Sequence, residues 1–597
     1  MSTAILTGQP VPGSSIEGDL RSLGFDVLVA ADAVDAERLV AQVPSDGRVA
    51  LVDARFVGHV HALRLGLTDP RFPLAAIAGA VTAQPEGRST LTRALARETS
   101  AGGGTALAVD SLPDRIVTAL SDDGADVRSP ELGSLVAAVP ADPQARNEAR
   151  QAVADVDDEA VRLKSAVKAR DGFFTTYFIS PYSRYIARWC ARRGLTPNQV
   201  TTASLLTALI AAGCAATGTR GGFVAAGVLL IASFVLDCTD GQLARYSLQY
   251  STLGAWLDAT FDRAKEYAYY AGLALGAARG GDDVWALALG AMVLQTCRHV
   301  VDFSFNEANH DATANTSPTA ALSDKLDSVG WTVWLRRMIV LPIGERWAMI
   351  AVLTAVTTPR ITFYVLLIGC AFAATYTTAG RVLRSLTRKA RRTDRAAQAL
   401  ADLADNGPLA GLVARVAPRF PAPVSAAAGG LLVVISAAVW GAGWPTVLGA
   451  VGYVLLSGVA LSRPLKGALD WLVPPFFRAA EYGTVLILAA KADVNGALPA
   501  AFGLVSAVAY HHYDTVYRIR GDAGAPPTWL VRVIGGHEGR TLLVTVLAAL
   551  LTASQFTLAL TALAVAVALV VLAESIRFWV ASHLRGASAV HDEGELA

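Results

Sequence analysis

The spacing of apolar and polar residues changes character near residue 140. Before it, short apolar runs at 4–7, 25–30 and 48–52 alternate with helix-periodic stretches. That alternation predicts a soluble α/β domain over 1–140, a small parallel sheet covered by helices. Residues 141–172 are rich in Arg, Glu, Asp and Ala and read as a helical connector. The next stretch, FFTTYFISPYSRYIARWCARRGLTPN, mixes aromatics with Arg184, Arg188, Arg192 and Arg193. Arginines four apart put a basic stripe on one helix face, which suits a helix lying in a membrane interface. Six apolar runs follow near 199–217, 220–238, 254–279, 283–303, 346–358 and 360–384. The fifth is short for a hydrocarbon layer of about 30 Å. After a linker over 396–420, a second apolar block runs to 585. Its spans fall near 421–440, 443–462, 477–491, 497–512, 541–553 and 556–582. A polar tail over 586–597 ends the chain. The expected fold is multi-domain: an α/β domain, then an all-α polytopic membrane region.

Composition supports this layout. Hydrophobic residues make up 53% of the 597 and charged residues 17%, against about 25% charged in an ordinary soluble protein. Basic residues cluster before the first span and, as Arg381, Arg384, Arg388, Lys389, Arg391 and Arg392, after the sixth. An even number of spans with basic residues at both ends places those ends, and the N-terminal domain, on the cytoplasmic side of the cell membrane. No basic stripe interleaved with aromatics points to nucleic acid. The five cysteines are odd in number and include no CxxC pair, so neither a disulfide framework nor a zinc site is expected. The first residues, MSTAILTGQPVP, lack the basic and apolar segments of a signal peptide.

Candidate chemistry sits in DCTDGQLARYSLQYSTLGAWLDATFD, from Asp237 to Asp262. Asp237 and Asp240 lie three apart at the end of one apolar run, and Asp258 and Asp262 four apart in the next. Each pair therefore shares a helix face. Four unpaired carboxylates in an apolar setting are costly. A hard divalent cation such as Mg²⁺ removes that cost and can hold a pyrophosphate. Gly241 and Gly254 leave room for close approach of a nucleotide. Arg245 offers a forked donor to phosphate, and one carboxylate can take a proton from an acceptor hydroxyl.

This D-x2-D-G-x2-A-R-x8-G-x3-D-x3-D spacing resembles the signature of the CDP-alcohol phosphatidyltransferase family at all eight positions. The similarity extends over about 171–390 and includes the Thr196–Thr201 stretch, TPNQVT. The resemblance implies a six-helix membrane enzyme that uses Mg²⁺ or Mn²⁺ to displace CMP from a CDP-alcohol donor with an acceptor hydroxyl. It would be a homodimer, as family members often are. By that resemblance Asp237, Asp240, Asp258 and Asp262 bind metal, and Asp262 is also the base. Asp237, Gly241, Ala244, Arg245, Gly254 and Asp258 contact the CDP moiety. Candidates for holding a phosphorylated acceptor, such as an inositol or polyol phosphate, are Arg263, Lys265, Arg298, His299, Arg336, Arg337, Arg381 and Arg384. Positive-inside anchoring explains each of these basic residues equally well.

The flanks read as relics. The N-terminal layout resembles bifunctional di-myo-inositol-phosphate-phosphate synthases, in which a cytidylyltransferase precedes the membrane enzyme. Here the first loop, ILTGQPVPGSSIEGDLRSLG, has no GxGxR, and no lysine occurs before Lys164. A degenerate nucleotidyltransferase-like domain is expected, with Asp53 a strand-end acid rather than a metal ligand. In the second block, LVPPFFRAAEYGTVLILAAKA from Leu472 matches LDATFDRAKEYAYYAGLALGA from Leu257 at one constant offset. The block therefore reads as a decayed, inactive copy, with Val473 and Phe477 in place of Asp258 and Asp262. Its polar cluster of His511, His512, Tyr513, Asp514, Arg518, Arg520, His537, Glu538 and Arg540 reads as a helix–loop junction. Two other functions compete with transfer: an ion or solute transporter using paired intramembrane acids, and a non-catalytic scaffold. A cation path has no use for a phosphate-binding arginine, and a scaffold has no use for the intact motif.

Overall fold

A computed structural model describes residues 2–100, 111–168, 171–310, 334, 338–387, 391–521 and 523–584. The N-terminal region holds a five-stranded sheet of β1 (Ser2–Thr7), β2 (Phe25–Ala30), β3 (Arg48–Asp53), β5 (Leu74–Ile77) and β6 (Ala80–Ala83), in the order β2-β1-β3-β6-β5. A further pair, β4 (Val57–Gly58) and β7 (Ala137–Ala138), lies apart. Helices α1 (Ile16–Ser22) and α2 (Ala33–Gln42) make the crossovers that keep β1, β2 and β3 parallel. The purely parallel expectation fails at β6, which runs antiparallel to both β3 and β5. Strands β5 and β6 form a hairpin on the two-residue turn Ala78–Gly79, with Gly79 at φ +74°. A left-handed turn of this kind favours glycine, yet LAAIAGAVTA reads on the page as one apolar run. Helix α3 (Val60–Leu67) joins α1 on one face of the sheet, and α4 (Arg88–Ser100) and α5 (Leu112–Asp122) join α2 on the other. The connector is two helices, α6 (Pro143–Ala154) and α7 (Asp158–Ser165), broken where Asp157 caps the second.

The amphipathic stretch forms α8 (Ser180–Arg192), with Tyr182 and Trp189 exposed, as an interfacial helix requires. Among the described residues there follow α9 (Pro197–Ala216), α10 (Arg220–Ser247), α11 (Thr252–Arg279), α12 (Trp285–Asn309), α13 (Ile343–Val356) and α14 (Pro359–Thr387). Their starts are written locally. Thr196 and Gln199 form a capping box with Pro197 at the first helical position, and Thr219 and Ser251 cap α10 and α11. Small residues let the helices close up. A Cβ at Gly272 or Gly276 would sit 2.4 or 2.1 Å from the carbonyl oxygens of Ala212 and Ala215 on α9.

The stretch expected to be a linker, 396–420, contains α15 (Asp394–Ala404) and α16 (Pro408–Ala414). Helix α15 is strongly amphipathic and buries Leu400 and Leu403, a periodicity hidden by its many alanines. The second block is α17 (Ala422–Trp440), α18 (Trp444–Ala460), α19 (Val473–Lys491), α20 (Ala497–Arg520), α21 (Thr528–Ile534), α22 (Gly536–Leu550) and α23 (Ala553–Leu584). Among the described residues, seven helical segments are long and apolar enough to cross a membrane. Helices α11, α12 and α20 are of similar length, with 28, 25 and 24 residues, but carry interior charges that lower their hydropathy.

The two blocks pack alike. Helix α9 lies against α10 and α11, as α17 does against α18 and α19. Helix α10 packs on α8 and α13, as α18 does on α16 and α22, and α12 packs on α14 as α20 does on α23. Between the blocks, α12 meets α19 and α20, and α11 meets α20 and α23.

Candidate active site

Helix α10 does not stop at the end of its apolar run. It continues to Ser247, where Leu248 adopts a left-handed cap at φ 51°. Asp237 and Asp240 therefore project from a helix interior and not from a turn. They face Asp258 and Asp262 on α11. One oxygen each from Asp237, Asp240 and Asp258 all lie within 4.8 Å of one another. Two oxygens bound to one Mg²⁺ are at most about 4.2 Å apart, so small side-chain rotations close this set around a cation. Asp240 is buried, and its Oδ2 has no hydrogen-bond partner. An orphaned buried carboxylate oxygen among two further acids is a donor set that fits a hard divalent ion.

The fourth acid, Asp262, lies beside Asp237 and forms an ion pair with Lys265 Nζ at 2.8 Å. Lys265 also pairs with Asp237 and donates to Ser204 Oγ at 3.2 Å. Lys265 thus faces the carboxylates and not an acceptor pocket. Arg245 donates from Nε to the Ala166 carbonyl at 2.6 Å, at the end of the connector. Gly241 is open, since a Cβ there would meet only the Arg245 guanidinium, at 3.5 Å. At Gly254 the space is used by the chain itself: a Cβ would lie 2.8 Å from Asn198 Oδ1. Ala244 sits on α10 one turn beyond Asp240.

The other basic candidates divide into two groups. Arg263 binds Glu266 Oε2 at 3.0 Å, and Glu266 is also held by Arg346 at 3.1 Å and by Tyr270 at 2.6 Å. His299 bridges Gln295, Arg263 and Tyr513 of the second block. These two residues are consumed by a buried structural network. Arg298 donates to the Val340 carbonyl, and its Nε and Nη1 have no partner although the residue is buried. Arg381 pairs with Asp302, one turn along α12 from Arg298. Arg384 lies half-buried on the same face of α14 as Arg381. Arg336 and Arg337 lie outside the described residues. In the N-terminal region Asp53 is buried and held by Arg55 at 2.8 Å, so its charge is answered by a side chain.

The sequence motif did not point to a second buried cluster. Arg478 binds Glu481 at 2.9 Å, Arg540 binds Glu481 at 2.6 Å, and Asp405 binds both arginines, at 3.2 and 2.8 Å, and His511 at 3.2 Å. Arg478–Glu481–Arg540 repeats Arg263–Glu266–Arg346 on corresponding helices. Phe477, at the position of Asp262, stacks on His537 with centroids 4.0 Å apart. A further parallel comes from Glu345 and Glu538. Glu345 accepts from the Phe174 amide ahead of α8, and Glu538 from the Gly407 and Ala410 amides at the start of α16. The constant offset in sequence was the available signal; its charged members look, on the page, like loop residues.

Residues 394–597 match the model of a family of unknown function. The chain is 36% identical over 131 residues to phosphatidylinositol phosphate synthase of Streptomyces avermitilis, covering 21% of this chain and 51% of that protein. It is 32% identical over 114 residues to the bifunctional IPC transferase and DIPP synthase of Aquifex aeolicus, covering 19% and 26%. It is 31% identical over 113 residues to archaetidylinositol phosphate synthase of Pyrococcus horikoshii, covering 19% and 58%. The chain thus spans between a quarter and three fifths of the length of these relatives. With the eight-position motif set across α10 and α11, residues 194–375 match the CDP-alcohol phosphatidyltransferase family.

Proposed function

We propose that this chain is a membrane-embedded CDP-alcohol phosphotransferase acting on an inositol- or polyol-phosphate acceptor in phospholipid or polyol-phosphate synthesis. The observation that carries this reading is the convergence of Asp237, Asp240 and Asp258 from two helices, with a buried, unpartnered oxygen on Asp240. These three acids would hold Mg²⁺ or Mn²⁺, which when bound neutralises a pyrophosphate and stabilises the departing phosphate. Gly241, Ala244 and Arg245 line the side of α10 on which the CDP moiety would lie. Asp262 takes the proton of the acceptor hydroxyl. The acceptor oxygen bonds to the phosphorus that carries the donor alcohol, and the bond from that phosphorus to CMP breaks. Arg298, whose Nε and Nη1 have no partner, would receive an acceptor phosphate together with Arg381, which pairs with Asp302 one turn along α12. The names of two relatives, phosphatidylinositol phosphate synthase and archaetidylinositol phosphate synthase, support the acceptor class.

The packing correspondence and the repeated Arg–Glu–Arg cluster support reading the second block as an inactive copy of the first. Its acids are lost to Val473 and Phe477, and its equivalent of α10 ends at Ala460. The N-terminal domain is read as a degenerate nucleotidyltransferase-like domain on the cytoplasmic side. Removing residues 1–140 should then leave transfer chemistry intact, and CTP-dependent formation of a CDP-alcohol by the chain would overturn that part.

The test of the central reading is CMP release from purified protein offered panels of CDP-alcohols and phosphorylated acceptors. Asp262→Asn should abolish release while CDP-ligand binding persists. EDTA should stop turnover and Mg²⁺ restore it. Normal turnover by Asp262→Asn, or turnover without metal, would refute the roles assigned.

A further inference from the structure

Lys265 is the least expected member of the site. Its ammonium is fully buried, with the side chain 0% exposed. It donates to Asp237 Oδ1 and to Ser204 Oγ at 3.2 Å, and it forms an ion pair with Asp262 Oδ1 at 2.8 Å. It also lies over the Trp347 ring, 5.5 Å from the centroid. A buried ammonium paired with two carboxylates cannot swing away without leaving them unanswered. It fills the flank between Asp237 and Asp262. The other flank, formed by Asp237, Asp240 and Asp258, keeps its unpartnered oxygen.

The second block supplies an independent observation. At the constant offset, Arg263, Glu266 and Tyr267 correspond to Arg478, Glu481 and Tyr482, and all three are retained. Asp258, Asp262 and Lys265 correspond to Val473, Phe477 and Ala480, so all three have become apolar. The lysine departs with the acids, not with the Arg–Glu scaffold. Its role therefore belongs to the carboxylate site and not to helix packing.

We propose that Lys265 is a built-in cation of the carboxylate site, occupying the Asp237–Asp262 flank and limiting the site to one divalent metal ion held by Asp237, Asp240 and Asp258. This rests on the metal reading given above. Four carboxylates carry four negative charges; Lys265 offsets one and a single divalent ion two more. Lys265 orients Asp262 through their ion pair and acts as a positioning residue. A second divalent ion on that flank would meet the ammonium at contact distance.

The experiment is Mn²⁺ binding, without nucleotide, to the full chain in nanodiscs, counted by electron paramagnetic resonance of free Mn²⁺. Asp240→Asn defines the background to be subtracted. The wild type should bind one Mn²⁺ above background. Lys265→Met should bind two, because the vacated flank offers Asp237 and Asp262 as ligands. Lys265→Arg keeps the charge and should bind one, so the proposal stays testable if the methionine variant does not fold. Equal stoichiometry in wild type and Lys265→Met, at one or at two, would overturn the role of Lys265 while leaving the metal site standing. Two ions in Lys265→Arg would also overturn it. No binding above background in any of the three would overturn the metal reading itself.

Discussion

Asp405 offers the sharpest test of how the second block is held together. It lies outside the membrane-crossing helices, in the turn after α15, and is buried. Its carboxylate answers Arg478 and Arg540, both almost wholly buried. Without it, two guanidiniums would share the single carboxylate of Glu481, and His511 would lose its Asp405 contact. Removing one partner of a buried ion pair costs about 3–5 kcal/mol, because the charge left behind is unsolvated. Asp405→Asn isolates that loss. The residue sits at φ 54°, a left-handed conformation that asparagine tolerates as well as aspartate, so the backbone is unstrained. The comparison is Asp394→Asn, which breaks a 2.6 Å pair with Lys466 in which the Asp394 side chain is 94% exposed. Exposed pairs are worth less than about 1 kcal/mol. Thermal unfolding in nanodiscs, followed by tryptophan fluorescence, should show a large loss for Asp405→Asn and almost none for Asp394→Asn. Burial would raise the Asp405 carboxyl, but the charges of Arg540, His511 and Arg478 hold it well below the usual range. A depressed carboxyl contributes above its unfolded value of about 3.9 and is lost only below it. The gap between wild type and Asp405→Asn should therefore stay constant from about pH 8 to 5. Equal melting of the two variants, or a gap that closes by pH 5, would refute the reasoning.

The His61 imidazole of the N-terminal domain is held at about 4 by burial and by the neighbouring Arg162 and Arg64. The unfolded chain takes up that proton near 6.5. The domain's stability should thus be full above pH 6.5 and fall towards pH 4, by up to about 1.4 kcal/mol per pH unit; His61→Phe should flatten the melting profile over that window. Gly276→Ala should lower membrane-domain stability by about 1–3 kcal/mol, because its Cβ would collide with the Ala215 carbonyl. Gly213→Ala, with nothing within 4 Å, should melt no lower than wild type. Arg298→Ala should raise the KM for a phosphorylated acceptor at least tenfold with little change in the KM for the CDP donor, measured as initial rates of CMP release.

The amino-acid sequence by itself determined the features that depend on local order. Helix starts at Thr196, Thr219 and Ser251 follow from capping chemistry, and long apolar runs mark most of the membrane helices. The four aspartates were legible because three- and four-residue spacing places side chains on one helix face whatever the surroundings. Other features depend on contacts between distant parts of the chain. Nothing local tells Lys265 from the arginines around it; only the approach of α10 and α9 to α11 turns it onto Asp237 and Ser204. Arg263 and His299 were equally ambiguous on the page, and packing assigned them to a buried network reaching Tyr513. The β5–β6 hairpin was hidden because its turn is only two residues long within an apolar run. The amphipathicity of α15 was hidden because alanine fits either a helix face or a linker. Asp405, Arg478, Glu481 and Arg540 lie up to 135 residues apart. A charge reads as a surface group until tertiary structure supplies its partner, since burial is tolerated only once the opposite charge is in place.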